Sequence, residues 1–187
     1  MKSTLFFLTI LLSISCAASE PNQNAAEEHL KAEIPEGWAR VLNSNTGNLI
    51  LAEYIPADSP DPWQQKLSIE VMSGSNLPDP LGFTAAWAQD QSELCEKFED
   101  HPIHSGFENG YPTVVRMLVC GENKRTGKPL VTMIKVIQGN ESLYTITRIW
   151  RLEELPLPQN EIAAWSSALR KTIACDPTLP AHACPTQ

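Results

Sequence analysis

The chain has 187 residues, a hydrophobic content of 42% and a formal net charge of −8 at pH 7. This length is enough for one domain with a substantial core. An acidic chain is repelled by nucleic acid and by anionic lipid headgroups, so neither is expected to bind the protein through charge.

The first 15 residues are predicted to be a signal peptide and not part of the fold. Lys2 gives a positive start, and the segment 5–12 is apolar except for one threonine. That segment is too short to span a bilayer, which takes roughly 20 apolar residues. Two processing sites fit: ordinary cleavage after Ala18, or a lipoprotein signal in which Cys16 becomes the acylated first residue.

The cysteine count favours the lipoprotein signal and predicts two disulfide bonds. The chain has five Cys, and removal or acylation of Cys16 leaves four. An even number in an exported chain indicates disulfides formed in an oxidising compartment. Four cysteines allow three connectivities, of which pairing between sequence neighbours is favoured: Cys95 with Cys120, and Cys175 with Cys184.

The predicted organisation is a tether at 16–33 followed by a single domain at 34–187 with a Pro-rich C-terminal tail. Two strands are predicted at 38–44 and 48–55. A third, at 66–72, alternates apolar and polar side chains, as expected for a strand with one buried face.

A helix is predicted to start at Asp79 and Pro80, a capping residue followed by proline in the first turn. At 100° per residue the apolar stripe consists of Phe83, Trp87, Leu94 and Phe98, and acidic residues as far as Asp100 occupy the opposite side. One polar residue, Asp90, projects among the aromatic side chains.

Three more strands are predicted at Tyr111–Cys120, Pro129–Gln138 and Ser142–Leu152, followed by a helix at about 159–173. The last helix gathers Ile162, Trp165, Leu169 and Ile173 on one face. The order β-β-β-α-β-β-β-α predicts an α+β fold, an antiparallel sheet flanked by helices in a single disulfide-stapled domain.

Four runs, together with this order of elements, resemble a group of uncharacterised proteobacterial envelope proteins and lipoproteins. The runs are Asn109-Gly110-Tyr111-Pro112, Gly127-Lys128-Pro129, Lys135-Val136-Ile137-Gln138-Gly139 and Arg148-Ile149-Trp150-Arg151. Those proteins are similar in outline to the Mog1/PsbP/DcrB-like fold, whose small sheets flanked by helices generally act as binding or assembly modules. The resemblance covers about 38–175 and implies no catalytic residue, because members of the fold share no catalytic site.

No catalytic motif is found, and no metal or cofactor is expected. The G-x-S-x-G pattern of a hydrolase nucleophile is absent from the sequence. His101 and His104 have the ligand type of a transition-metal site, but Pro102 prevents a regular helix from aligning the two rings. A polar loop is the favoured interpretation of this segment.

Three charged residues are candidates for a polar, ligand-facing spot: Asp90, Arg116 and Arg148. The simpler interpretation is an Asp–Arg pair that neutralises charge inside the domain. Tryptophans at 38, 63 and 150 either line a groove or belong to the core.

The sequence therefore predicts a non-enzymatic periplasmic binding or interaction module. It would be anchored in a bacterial membrane by a lipid on Cys16 and accessory to another envelope protein or complex. The alternative is a small-molecule or lipid carrier that uses a cavity between sheet and helices, and a small envelope hydrolase is the least favoured hypothesis.

Overall fold

The computed structural model describes residues 28–61 and 64–185. The predicted signal peptide, the predicted lipidation site Cys16 and Trp63 lie outside these ranges. Neither helix within them is long and apolar enough to cross a membrane.

The described part of the chain contains nine strands and two α-helices. The strands are β1 (His29–Lys31), β2 (Trp38–Asn45), β3 (Leu49–Pro56), β4 (Gln65–Ser73), β5 (Cys95–Glu108), β6 (Tyr111–Asn123), β7 (Leu130–Gln138), β8 (Ser142–Arg151) and β9 (Ile173–Cys175). The helices are α1 (Pro80–Glu93) and α2 (Gln159–Lys171), and Pro180–His182 forms a single 3₁₀ turn.

Seven strands form one antiparallel sheet in the order β2-β3-β4-β8-β7-β6-β5, while β1 and β9 pair as a separate small sheet. Central strand β7 is buried along almost its whole length, from Val131 to Ile137. The predicted α+β class, with an antiparallel sheet and flanking helices, is confirmed.

Each face of the large sheet packs against one helix. Odd-numbered residues of β7, such as Met133, join the main core with Trp150 of β8 and Trp165 of α2. Even-numbered residues, such as Ile134, pack instead with Trp87 of α1. The strict alternation of a β-strand thus assigns neighbouring residues to different helices.

The predicted start of α1 is confirmed, but its predicted end is wrong. The Asp79 side chain accepts a hydrogen bond from the Gly82 N–H, with Pro80 in the first turn. The helix ends at Glu93, and the segment predicted to continue it is edge strand β5, whose residue Phe98 pairs with Cys120. The register with β6 overrides a local pattern that resembles a helix.

Both disulfides join sequence neighbours. Cys95 at the start of β5 is bonded to Cys120 on β6, with 5.5 Å between their Cα atoms. Cys175 at the end of β9 is bonded to Cys184 in the tail, with 4.9 Å between Cα atoms. Because β1 pairs with β9, residues 29–31 of the predicted tether are part of this folded region.

A buried ammonium group connects the centre of the sheet to the end of α2. Lys135 on β7 has no exposed side-chain surface, and it forms an ion pair with Glu108 of β5. Its Nζ also donates to the backbone oxygens of Leu169 and Thr172, both at 2.7 Å. A cation at this position gives the last carbonyls of α2 a charged donor and opposes the negative end of the helix dipole.

We expect Lys135→Met to lower the free energy of unfolding by about 3 kcal/mol, because it leaves the Glu108 carboxylate and two carbonyls without their partner. Chemical denaturation measures the loss. The control is Lys128→Met, which removes an exposed ion pair with Glu153 and is expected to cost no more than about 1 kcal/mol. Equal losses for the two variants would show that the buried ammonium has no special role.

Candidate functional site

A polar cleft of about 990 Å³ lies where the ends of β4 and β8 meet the two ends of the described chain. Its walls come from segment 28–29, from the end of β4, from the turn that precedes β8 and from the tail after β9. The lining residues are Glu28, His29, Val71, Ser73, Gly74, Ser75, Asn140, Glu141, Ser142, Tyr144, Asp176 and Thr178. They include three carboxylates and no lysine or arginine.

Glu28 fixes one wall of the cleft to the sheet. Its carboxylate accepts hydrogen bonds from the Asn140 N–H at 2.7 Å and from the buried Tyr144 hydroxyl at 3.1 Å. Gly139 leaves room for that carboxylate, since a Cβ at this position would overlap it. Burial raises the pKa of Tyr144, and the Glu28 charge adds to the shift, so the hydroxyl remains a donor at neutral pH.

The tail that forms the opposite wall is held by the turn between β5 and β6. Asn109, in a left-handed conformation with φ 49°, donates from Nδ2 to the backbone oxygens of Ala174 and His182. The His182 ring stacks on Tyr111, with 4.1 Å between ring centroids. Gly110 has φ 80°, and a side chain there would meet the His182 ring. This turn therefore places the tail beside the cleft.

Several polar groups of the cleft are engaged in hydrogen bonds within the chain. Asp176 accepts from the Thr178 N–H at 2.8 Å and from its hydroxyl at 2.6 Å. These bonds hold the pKa of Asp176 below its usual value, so the carboxylate stays ionised near neutral pH. The hydroxyls of Ser73 and Ser142 lie 3.1 Å apart. These groups can accept hydrogen bonds, and the carboxylates attract positive charge. The Asp176 carboxylate is poorly suited to act as an acid or a base near pH 7, because its pKa is low.

The three charged residues singled out from the sequence do not share a site. Arg116 pairs with Ile134, on the α1 side of the sheet, and Arg148 pairs with Met133, on the α2 side. Arg116 forms its ion pair with Asp100 of β5, while Asp90 lies exposed on α1. The alternation of side chains along the strands thus places the two arginines on opposite faces of the sheet. The partner of Arg116 is Asp100, which was predicted to lie on a helix.

Arg148 is enclosed by three tryptophans. Its guanidinium carbon lies 4.7 Å from the ring centroid of Trp38, 4.8 Å from that of Trp150 and 5.2 Å from that of Trp165. The guanidinium also donates to Gln65 at 2.6 Å and lies 3.4 Å from the Glu161 carboxylate. Trp38 and Trp150 therefore surround a buried cation, an arrangement of the core that cation–π attraction stabilises.

The two histidines considered as metal ligands lie on β5 rather than in a loop. His101 is 3.0 Å from Glu99, and His104 is 3.7 Å from Glu108. A small cavity of about 230 Å³ opens beside His104, between β5, β7 and α2. Glu108 and Lys135 both line this cavity and are paired with each other. The cavity therefore borders the buried ion pair described above.

Sequence reasoning missed the cleft because its parts are far apart along the chain. Glu28 falls in the predicted tether, and Asp176 lies beyond the last predicted helix. One local signal was present: the run Asn109-Gly110-Tyr111 contains the residues that hold the tail.

No protein-family model and no curated protein sequence matches this chain. Among solved structures it is similar to LpqN of Mycobacterium tuberculosis, described as involved in cell envelope biogenesis, with a TM-score of 0.50 and 9% identity over 82% of this chain and 87% of that one. It is also similar to the Ran-binding protein Mog1p of Saccharomyces cerevisiae, with a TM-score of 0.45 and 12% identity over 74% of this chain and 78% of that one.

A third similar structure is the cyanobacterial PsbP of Synechocystis, with a TM-score of 0.46 and 12% identity over 84% of this chain and 98% of that one. The predicted likeness to a Mog1/PsbP-like domain is confirmed. At these identities the likeness concerns the fold alone.

We expect Glu28→Ala to lower the free energy of unfolding by about 2 kcal/mol, because the buried Tyr144 hydroxyl loses a charged acceptor. Glu33→Ala is the control, since it removes only the exposed pair with Lys171 and should cost about 0.5 kcal/mol or less. A double-mutant cycle with Tyr144→Phe should give a coupling energy of about 1 kcal/mol. Strict additivity would contradict the contact between Glu28 and Tyr144.

Proposed function

We propose that this protein is a non-enzymatic binding module of the bacterial envelope whose cleft receives a positively charged segment of another envelope protein. The observation that carries the proposal is the cleft itself, which has about 990 Å³ of space and three carboxylates among its lining residues. Chain segments rich in Lys or Arg provide the donors and the charge that such a lining accepts. The formal net charge of −8 favours the same kind of partner.

The bonding within the cleft supports a binding role over catalysis. Glu28 and Asp176 are engaged by donors from their own chain. The hydroxyls of Ser73 and Ser142 are paired with each other, whereas the hydroxyl of an activated nucleophile is paired with a base. The cleft is thus equipped to recognise charge, with two of its three carboxylates held in fixed positions before a ligand arrives.

The envelope location rests on the signal sequence, on the disulfides and on the fold. Two disulfides are typical of a domain that matures outside the cytoplasm. LpqN, which is similar in fold, is described as involved in cell envelope biogenesis. In our proposal the module stands at the periplasmic face of a membrane, held by an acyl chain on Cys16.

A lipid-carrier role fits less well, because a carrier needs an enclosed apolar cavity. The large cleft is open and lined mainly by polar residues. The smaller cavity beside Met133 and Leu169 measures only about 230 Å³, which is below the usual range of ligand pockets.

Photo-crosslinking in living cells tests the proposed partner. A photoreactive residue at Ser75, which is exposed on the rim of the cleft, should give a protein adduct of defined mass. The same residue at Glu96, which is exposed on β5, should not give that adduct. Glu141→Lys should reduce the Ser75 adduct about tenfold, because it places a like charge beside a basic partner.

The matched control is Glu122→Lys, which makes the same charge change at an exposed position on β6 and should leave the adduct unchanged. The proposal fails if Ser75 and Glu96 capture the same proteins, or if Glu141→Lys has no effect. A small molecule that copurifies in the cleft, detected by native mass spectrometry, would favour the carrier alternative.

The membrane anchor has its own test. The intact mass of the protein extracted from membranes should correspond to a chain that begins at an acylated Cys16, and Cys16→Ser should release the protein into the soluble periplasmic fraction. A soluble wild-type chain that begins after Ala18 would disprove the anchor without affecting the cleft.

A further inference from the structure

A histidine side chain approaches both sulfurs of the C-terminal disulfide. The Nε2 atom of His29 lies 3.7 Å from Cys175 Sγ and 3.8 Å from Cys184 Sγ. His29 and Cys175 are directly paired across β1 and β9, so the register holds the ring and the first sulfur on the same face. Cys184 enters from the tail, and together the three potential ligand atoms lie within 4.8 Å of one another.

These distances resemble those between the ligands of a tetrahedral metal site. Zinc binds imidazole nitrogen at about 2.0 Å and thiolate sulfur at about 2.3 Å. With tetrahedral angles, ligands at those lengths stand about 3.5 Å apart for nitrogen and sulfur, and about 3.8 Å apart for two sulfurs. Both nitrogen–sulfur distances in this structure are already close to the required value. Only the two sulfurs must separate, and breaking the bond between them permits that.

We propose that reduction of the Cys175–Cys184 disulfide creates a binding site for a thiolate-preferring metal ion, with His29, Cys175 and Cys184 as its ligands. One imidazole and two thiolates form a donor set that suits zinc and similar soft or borderline ions. Three protein ligands leave a fourth position open to water or to another ligand. The inference does not rest on the proposed cleft partner, because its ligands are the disulfide and His29, which also lines the cleft.

The reductant is a dithiol of the kind that carries out thiol–disulfide exchange. One thiolate of the dithiol attacks Cys184 Sγ, which is the more exposed sulfur, and the Cys175 thiolate leaves. The second thiolate of the reductant then displaces Cys184, so the reductant becomes a disulfide and two electrons pass to the protein. Binding of Zn²⁺ to the resulting pair of thiols releases two protons.

Titration with Co²⁺ and Zn²⁺ under anaerobic conditions tests the site in the purified protein. The double variant Cys95→Ala/Cys120→Ala lacks the first disulfide and keeps Cys175 and Cys184. The reduced wild-type protein is measured alongside, so that the test does not depend on the folding of the double variant. The reduced protein should bind one Co²⁺ with thiolate-to-metal charge-transfer absorption, and Zn²⁺ should displace the cobalt. The oxidised protein should show neither signal.

His29→Ala should weaken Zn²⁺ binding at least about tenfold. Mutating a residue that only hydrogen-bonds to a metal ligand already costs about that much affinity, and His29 is itself a ligand. His101→Ala is the matched control, since His101 lies exposed on β5 and should leave the affinity unchanged. The proposal is overturned if the reduced protein shows no thiolate–cobalt absorption, if the oxidised protein binds equally well, or if His29→Ala binds Zn²⁺ as tightly as the wild type.

Discussion

The ammonium group of Lys135 has no contact with solvent, and its three N–H donors meet one carboxylate and two backbone oxygens. Burial lowers the pKa of this lysine, and the bonded Glu108 opposes the shift. The carboxylate comes from the sheet edge and the carbonyls from the last turn of α2. One buried charge thus fixes the distance between the central strand, the edge strand β5 and the helix. The turn after β5, which holds the C-terminal tail, follows directly from Glu108.

The ends of the described chain depend on that framework. The tail is held by Asn109 and by the stack of Tyr111 on His182, and it carries Cys184 back to Cys175. Strand β1 then adds to β9, and Glu28 closes on the sheet beside Tyr144. The cleft is therefore built from segments with little core of their own, and its shape depends on a few polar contacts and one disulfide. Changes of redox state at that disulfide would act on the wall that contains Asp176.

The periodicity of apolar residues predicted those strands and helices whose conformation is determined by residues close together in the sequence. The alternation at 66–72 corresponds to a buried surface, and so does most of the apolar face of the last helix, with Trp165 in the main core. Ile173, which was predicted on that face, belongs instead to β9. The start of α1 was predictable for the same reason, because a cap at Asp79 involves residues within one turn.

Features that require distant residues could not be predicted in this way. Strand β5 is rich in charges and contains Pro102, and it is extended because it pairs with β6 and is bonded to it through Cys95. The ion pair of Arg116, the aromatic surroundings of Arg148 and the contact of Glu28 with Tyr144 join positions whose proximity no local pattern encodes. The cleft is likewise formed by residues that are far apart in the sequence.

If Cys16 carries the proposed lipid, the docking of Glu28 onto the sheet limits how far the domain can move from the membrane. Twelve positions separate Glu28 from Cys16, and a fully extended chain of that length reaches about 40 Å. With a lipid on Cys16, the cleft opening would stay within roughly that distance of the bilayer, since Glu28 is itself part of its wall. A tethered site samples a small volume, so partners in the same membrane would meet it at a high effective concentration. Moderate intrinsic affinity would then suffice for a membrane-bound partner, whereas a freely diffusing periplasmic protein would need a much tighter contact.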